Sequence, residues 1–220
     1  RCILKIDPLN FEGFGRGLTG VVVPRPIAFV SSISADGIVN LAPFSFFNAV
    51  SYDPPTIVFS SSRYAGEDRG KRKDTLVNVE ETGEFVVNVV VDSIAEAMNR
   101  TAAEYPAEVS EFDVAGLTPV PSDLVRPPRV AESPVNMECR LIQVIPIGQG
   151  KRQHGLVIGE IVLMHIRDDI ISGHRIDHQK LRPTGRLAGN MYCYTADTFE
   201  MVRPVYSPGE SVAAGSGSAS

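Results

Sequence analysis

The feature that most limits what this chain can fold into is a repeated texture. Short runs rich in Val, Ile, Phe and Thr are each broken within a few residues by Gly, Pro or Asp. Segments 27–33, 39–50, 56–60 and 84–90 follow one another in this way, and 137–147 and 156–166 read as two longer strands joined by the polar turn 148–153. β-branched and aromatic residues fit a pleated, half-buried surface, and the breakers either turn the chain or fail to complete a ladder. Asp36-Gly37 supplies the first hairpin turn because both residues tolerate positive φ. Pro54-Pro55 ends the second run, since proline has no N–H to give a neighbouring strand. Strands in consecutive runs with few helices argue against a doubly wound parallel sheet and for an antiparallel barrel, closed or partly closed, in which apolar edges are hidden.

The helices are short and decorate that sheet. One is predicted over 75–82, with Asp74 as its N-cap and Gly83 at the position following its C-terminus. A second opens at Ser93-Ile94-Ala95-Glu96, an S-x-x-E capping box. A third lies within 174–181, and 189–195 reads as a last strand. Between them, 106–134 is rich in Pro, Ser and Asp and is expected to run over the surface, bordering a binding site. Gly15-Arg16-Gly17-Leu18-Thr19-Gly20 matches a dinucleotide-binding fingerprint, but that fingerprint needs a strand before it and a helix after it. Val21-Val22-Val23-Pro24-Arg25-Pro26 cannot open a helix, so the glycines are read as an ordinary loop.

A length of 220 residues and 43% hydrophobic content allow one sizeable core. We expect a single domain over 1–206 and a Gly-, Ser- and Ala-rich tail over 207–220 that cannot bury enough surface to order itself. The net charge of −5 argues against a nucleic-acid binder. No run approaches the roughly 18 apolar residues that span a bilayer, and the first residues carry no secretory pattern, so a soluble cytoplasmic protein is expected. Cys2, Cys139 and Cys193 form no CxxC pair and are odd in number, which fits a reducing compartment and indicates neither a disulfide framework nor zinc.

Against the acidic background, Arg69-Gly70-Lys71-Arg72-Lys73 concentrates positive charge directly before the predicted helix. Lys73-Asp74-Thr75 joins a lysine, a helix start with unpaired N–H groups and a hydroxyl, the ingredients of an anion site. The same pattern also describes a solvated basic loop before a capped helix. Asp74 would repel a phosphate and is read mainly as the cap. Ser60, Ser61, Ser62 and Arg63, at the end of an apolar strand, offer hydroxyls and a guanidinium that can close on the same anion, or simply form a polar strand end.

Taken in order, Pro24-Arg25-Pro26-Ile27-Ala28, Asn40-Leu41-Ala42-Pro43-Phe44-Ser45-Phe46-Phe47-Asn48-Ala49-Val50, Asp53-Pro54-Pro55, Lys73-Asp74-Thr75-Leu76 and Gly83-Glu84-Phe85-Val86-Val87-Asn88 resemble the flavin reductase-like family. This is the FMN-binding split-barrel group that includes flavoredoxin and the reductase components of two-component monooxygenases. The resemblance spans about 20–190. It implies a six-stranded split barrel, a homodimer, and FMN near the subunit interface. By the same resemblance Ala42, Pro43, Phe44 and Ser45 hold the flavin ring, Ser60, Ser61, Ser62 and Arg63 line the ribityl chain and phosphate, and Lys73, Asp74 and Thr75 form the phosphate loop. Arg186, within Gly185-Arg186-Leu187-Ala188-Gly189-Asn190, is placed near the site. Phe44, Phe46 and Phe47 are more readily barrel core than ring contacts, since large aromatics chiefly fill cores.

The expected activity is that of an NAD(P)H-dependent FMN reductase. Hydride passes from NADH or NADPH to the flavin, which is handed on to a partner flavin-dependent monooxygenase, and the protein orients the rings without a catalytic nucleophile of its own. Two alternatives stay open: an FMN-bound electron carrier, and an FMN-dependent oxidoreductase acting on an organic substrate under 106–134. No metal is expected. His174 and His178 are spaced to share a helical face with Asp177 nearby, but no third ligand is suggested. His154 and His165 are read as structural, and either His154 or His174 as a contact for nicotinamide by the same resemblance.

Overall fold

The computed structural model describes residues 3–63, 71–150 and 153–205. Its elements begin with helix α1 (Phe14–Val21) and strands β1 (Ala28–Ile33), β2 (Val39–Phe44), β3 (Phe47–Tyr52) and β4 (Pro55–Ser61). Helix α2 (Asp74–Thr82), β5 (Glu84–Val89), α3 (Ala95–Arg100), α4 (Glu111–Ala115), β6 (Pro119–Val120) and β7 (Arg129–Val130) follow. The chain continues through β8 (Val135–Ile147), β9 (His154–Ile166), β10 (Ile171–Ser172), β11 (Arg175–Ile176), α5 (His178–Leu181), β12 (Thr184–Arg186) and β13 (Tyr192–Tyr194). The main sheet is antiparallel and has seven strands in the order β2-β1-β5-β8-β9-β4-β3.

The expected count of six is therefore corrected, and the extra strand has a definite origin. The run 39–50 is two strands, because the chain bends at Ser45 and Phe46 and leaves one edge of the sheet for the other. The ends of β2 and β3 are separated only by those two residues, which span at most about 11 Å. The sheet must therefore curl until its edges nearly meet. Phe44 of β2 and Phe59 of β4 pack ring to ring at 5.0 Å across the gap. No ladder joins β2 to β3, so the barrel is split and not closed.

Inside the curl lies an apolar cluster built on Val30, Ile57, Phe59, Val79, Phe85 and Val157. A second cluster, including Phe29, Leu41, Ile94, Met98 and Phe112, packs α3 and α4 against the other face of β1 and β2. Such side chains each contribute roughly 1.5–3 kcal/mol when fully buried. Gly159 of β9 shows how tightly the first cluster is filled. A Cβ there would collide with the end of the Phe85 ring and lie 2.8 Å from its Cε1, and Phe85 is wholly buried with its edge toward Phe59 at 5.5 Å. Gly159→Ala is expected to cost about 1–3 kcal/mol, read as a lowered urea midpoint.

Several local expectations change. Asp74 is the first helical residue of α2, and Lys73 holds the N-cap position without a side-chain cap; Gly83 ends the helix in the left-handed region at φ 71°. Ser93 sits in a 3₁₀ turn before α3 and caps nothing with its side chain, because the chain tightens over 92–94 before the α-helix begins. Gly15, Gly17 and Gly20 lie within α1 and not in a loop, since Val21 ends the helix and Val22, Val23 and Pro24 stand after it. The surface excursion holds α4 and the β6–β7 hairpin. The last strand, β13, pairs only with β12. Arg69 and the tail 207–220 fall outside the described residues. Among those residues no helix is long and apolar enough to cross a membrane.

Candidate functional site

β2 is an edge strand, and its sequence decides what that edge can offer. In its antiparallel pairing with β1, Phe29 faces Pro43 and Ser31 faces Leu41. Pro43 has no N–H, so the pairs through Pro43 and Leu41 are the ones that do not exchange ladder bonds. The backbone groups of Leu41 and Pro43 therefore point outward from the sheet. Pro43 there borders a cavity of about 670 Å³, within the range that encloses a ligand of cofactor size.

Strand edge, helix start and hairpin wall this cavity together with Glu111 and the segment that ends α3 and follows it. Ala42, Pro43 and Ser45 come from the β2 edge and the bend after it; Lys73, Asp74 and Thr75 come from the start of α2. Arg186 closes the side formed by the β12–β13 hairpin. Asn40 donates to Thr75 Oγ1 at 2.8 Å and so ties the strand edge to the helix start. The guanidinium of Arg186 lies 4.4 Å from the ring centre of Tyr192, whose hydroxyl donates to Asn99 at 3.1 Å.

Not all of the residues read from the sequence converge here. Phe44 turns into the core and contributes backbone only. Ser60 lines a separate, apolar hollow with Phe46 and His154, its hydroxyl 3.2 Å from His154 Nδ1. Ser61 is buried, its hydroxyl donating to the Ser62 carbonyl. Arg63 donates to Gln153. Neighbouring strand residues point to opposite faces, so three consecutive serines of a strand end cannot all face one ligand. Ser62 and Arg63 nevertheless stand next to the helix start, because an antiparallel bridge pairs Arg63 with Arg72.

Two residues missed by the sequence reading organise the site. Arg25 is buried, and its guanidinium donates to the carbonyls of Thr19 and Val22 at 2.7 Å, to Leu187 at 3.0 Å and to Ser45 Oγ at 3.4 Å. It clamps the end of α1, the bend after β2 and the Arg186 segment together. Burial, then the nearby Arg186, lower its pKa from the ordinary arginine value. Glu111 of α4 is also buried, and its Oε2 accepts the outward Leu41 N–H at 2.9 Å. Burial raises its pKa, Asp74 adds to the rise, and the bonds from backbone N–H groups oppose it. The only sequence signal for either was a charge in an apolar or turn context.

The donor set sorts what this cavity can hold. Asp74, Glu104 and Glu111 line it beside Lys73 and Arg186. A flat ring with hydroxyl or N–H donors suits the β2 edge, whereas a phosphate is served best toward Lys73, Thr75 and the Arg63–Arg72 bridge. His174 precedes α5 and His178 opens it, bonded to the Thr195 carbonyl, so the two share no helical face. Asp177 is the α5 cap and accepts from Gln179 and Lys180 N–H. Among the described residues, Asp123, Glu138 and His165 are grouped closely enough to offer three metal-ligating atoms within 4.8 Å, but Glu138 is engaged by His165 and by two backbone N–H groups.

A curled antiparallel sheet, split between β2 and β3, with a ligand-sized cavity between the β2 edge and a lysine-bearing helix start, defines a split-barrel fold. Residues 20–182 match the family model described as the flavin reductase like domain, and the chain belongs to that family. It is 44% identical to an uncharacterized protein of Halalkalibacterium halodurans over 93% of this chain and 97% of that one. Among solved structures it is similar to nitrilotriacetate monooxygenase component B from Bacillus cereus (38% identity, 91% of this chain and 100% of that one, TM-score 0.87). It also resembles 2-nitrobenzoate 2-nitroreductase of Pseudomonas fluorescens (33% identity, 93% and 98%, TM-score 0.82).

Proposed function

We propose that this protein is an NAD(P)H-dependent FMN reductase that supplies reduced flavin to a partner oxygenase. The observation that carries the reading is the convergence of Ala42, Pro43 and Ser45 with Lys73 and Thr75 on one cavity, in a chain of this family. Similarity to a monooxygenase component B supports the partner. The bound flavin would supply the hydride-accepting chemistry. The chain's own residues bind and orient: the β2 edge holds the ring, Lys73 and Thr75 neutralise the phosphate together with Ser62 and Arg63, and Arg25 fixes the angle between the β2 bend and the Arg186 segment. We assign no catalytic acid, base or metal to the reaction. Anaerobic addition of NADH, then of NADPH, to the protein with FMN tests this. The expected result is saturable, protein-dependent bleaching of the visible flavin band; a flavin that stays oxidised with both donors contradicts it.

A second reading has a specific observation behind it. A cleft of about 550 Å³ between α3 and the β12–β13 hairpin adjoins the main cavity through Asn99, Asn190 and Tyr192. With the likeness to a nitroreductase, it favours reduction of an organic substrate in place. Turnover of a nitroaromatic compound without any oxygenase separates this from the first reading, and reduction by a protein donor alone would mark an electron carrier. In either case we infer a cytoplasmic homodimer. Val50 and Tyr52 of β3, Ile142, Ile145 and Ile147 of β8, and Met164 of β9 stand exposed on the barrel and suit burial against a second copy.

A further inference from the structure

Pro43 and Glu111 together leave the β2 edge short of donors. Pro43 has none, and the Leu41 N–H is already bonded to Glu111 Oε2 at 2.9 Å. From 41 to 43 the edge can therefore offer a ligand only carbonyl oxygens, with a carboxyl beneath them. That carboxyl is 8% exposed yet lines the cavity. We propose that Glu111 is a specificity-determining residue of this cavity: with Asp74 at the start of α2 it puts carboxylate charge on the wall and so lowers the affinity for a phosphorylated ligand relative to its unphosphorylated form.

The proposal rests on the flavin reading above and adds to it which residue sets the preference between phosphorylated and unphosphorylated ligand. Phosphate is drawn to Lys73 and Thr75; Asn40 donates to Thr75 Oγ1, and the next residue of β2, Leu41, donates its N–H to Glu111. The anionic end of a ligand at α2 thus lies close to two carboxyls of the same wall. The charged groups facing Glu111 across the cavity are Lys73 and Asp74 of the α2 start, Glu104 of the segment after α3, and Arg186 of β12. Among the described residues no histidine lines the cavity. Burial raises the Glu111 pKa, the bonds from backbone N–H groups oppose it, and Asp74 adds to the rise.

Riboflavin and FMN differ only in the phosphate, so the ratio of their affinities isolates this effect. Glu111→Gln keeps an oxygen for the Leu41 N–H and removes the charge; Glu111→Met, of similar length, is the second variant should the first not fold. Both flavins are titrated into wild type and variant at about pH 8, the two proteins sharing the ionisation of the phosphate itself. The substitution should raise the preference for FMN over riboflavin about fivefold to tenfold, as expected for one charge removed several Å from a dianion in a wet cavity. An unchanged preference, with both flavins still bound, overturns the role of Glu111 alone. Failure of wild type to bind either flavin overturns the flavin reading and this inference with it.

Discussion

Glu138→Ala is expected to cost about 3–5 kcal/mol of folding stability, measured as a lowered urea midpoint. Glu138 of β8 is wholly buried, and its two oxygens are all that satisfies the Asp123 and Leu124 N–H groups, at 2.8 and 2.6 Å, and His165, at 2.6 Å. Alanine would leave three polar groups without a partner inside a packed protein, each costing about 1–3 kcal/mol if water cannot reach it. The segment between β6 and β7 would detach first, because these bonds fasten it to the sheet. Glutamine keeps an acceptor but turns an amide N–H toward a backbone donor, so Glu138→Gln should fall between the two.

The same carboxylate predicts a direction with pH. Burial alone would raise its pKa, but the Asp123 N–H, His165 and the Leu124 N–H outweigh that and hold it below the ordinary 4.5. The unfolded chain then binds this proton more readily than the folded one, so acid favours unfolding. Its contribution is complete above 4.5 and is lost as pH falls through the lower folded value. Wild type should accordingly lose stability in acid more steeply than Glu138→Gln.

Lys73→Ala with Thr75→Ala is expected to weaken FMN binding about 100-fold, corresponding to two charge-assisted or buried hydrogen bonds of about 1–1.5 kcal/mol each. Riboflavin, which carries no phosphate, should lose much less. Thr75 is 1% exposed and accepts from Asn40, so the double variant should also lose about 1 kcal/mol of stability while keeping its fold. Fluorescence titration of both flavins, with a urea curve for each protein, separates the two effects. Equal losses for FMN and riboflavin would place the phosphate elsewhere.

How much of this was legible in the sequence depended on how local each signal is. The α2 start announced itself because a lysine, a hydroxyl and a terminating Gly83 are adjacent or one helix apart. The strands of the main sheet were visible as apolar runs, but the break at Ser45 and Phe46 was hidden, since a strand that changes edges keeps its β-rich composition, and the two- and three-residue strands β6, β7, β10, β11 and β12 are too short to leave a pattern. Ser60 lines a different hollow from the α2 cavity, which alternation along β4 foreshadows: its neighbours Phe59 and Ser61 are buried on the opposite face. Arg25 and Glu111 were out of reach for a different reason. Arg25 meets Leu187, and Glu111 meets Leu41, across separations of 162 and 70 residues, and a backbone carbonyl or N–H as partner leaves no mark on residue type. The family resemblance supplied the ring-binding role of 42–45, which no local rule gives.

The most direct test of the account is a crystal structure of the protein grown with FMN. The ring is expected against Ala42, Pro43 and Ser45, with the phosphate within hydrogen-bond reach of Lys73 and Thr75. A flavin seated instead in the hollow between Phe46 and His154, with the cavity at the start of α2 left to solvent, would contradict it.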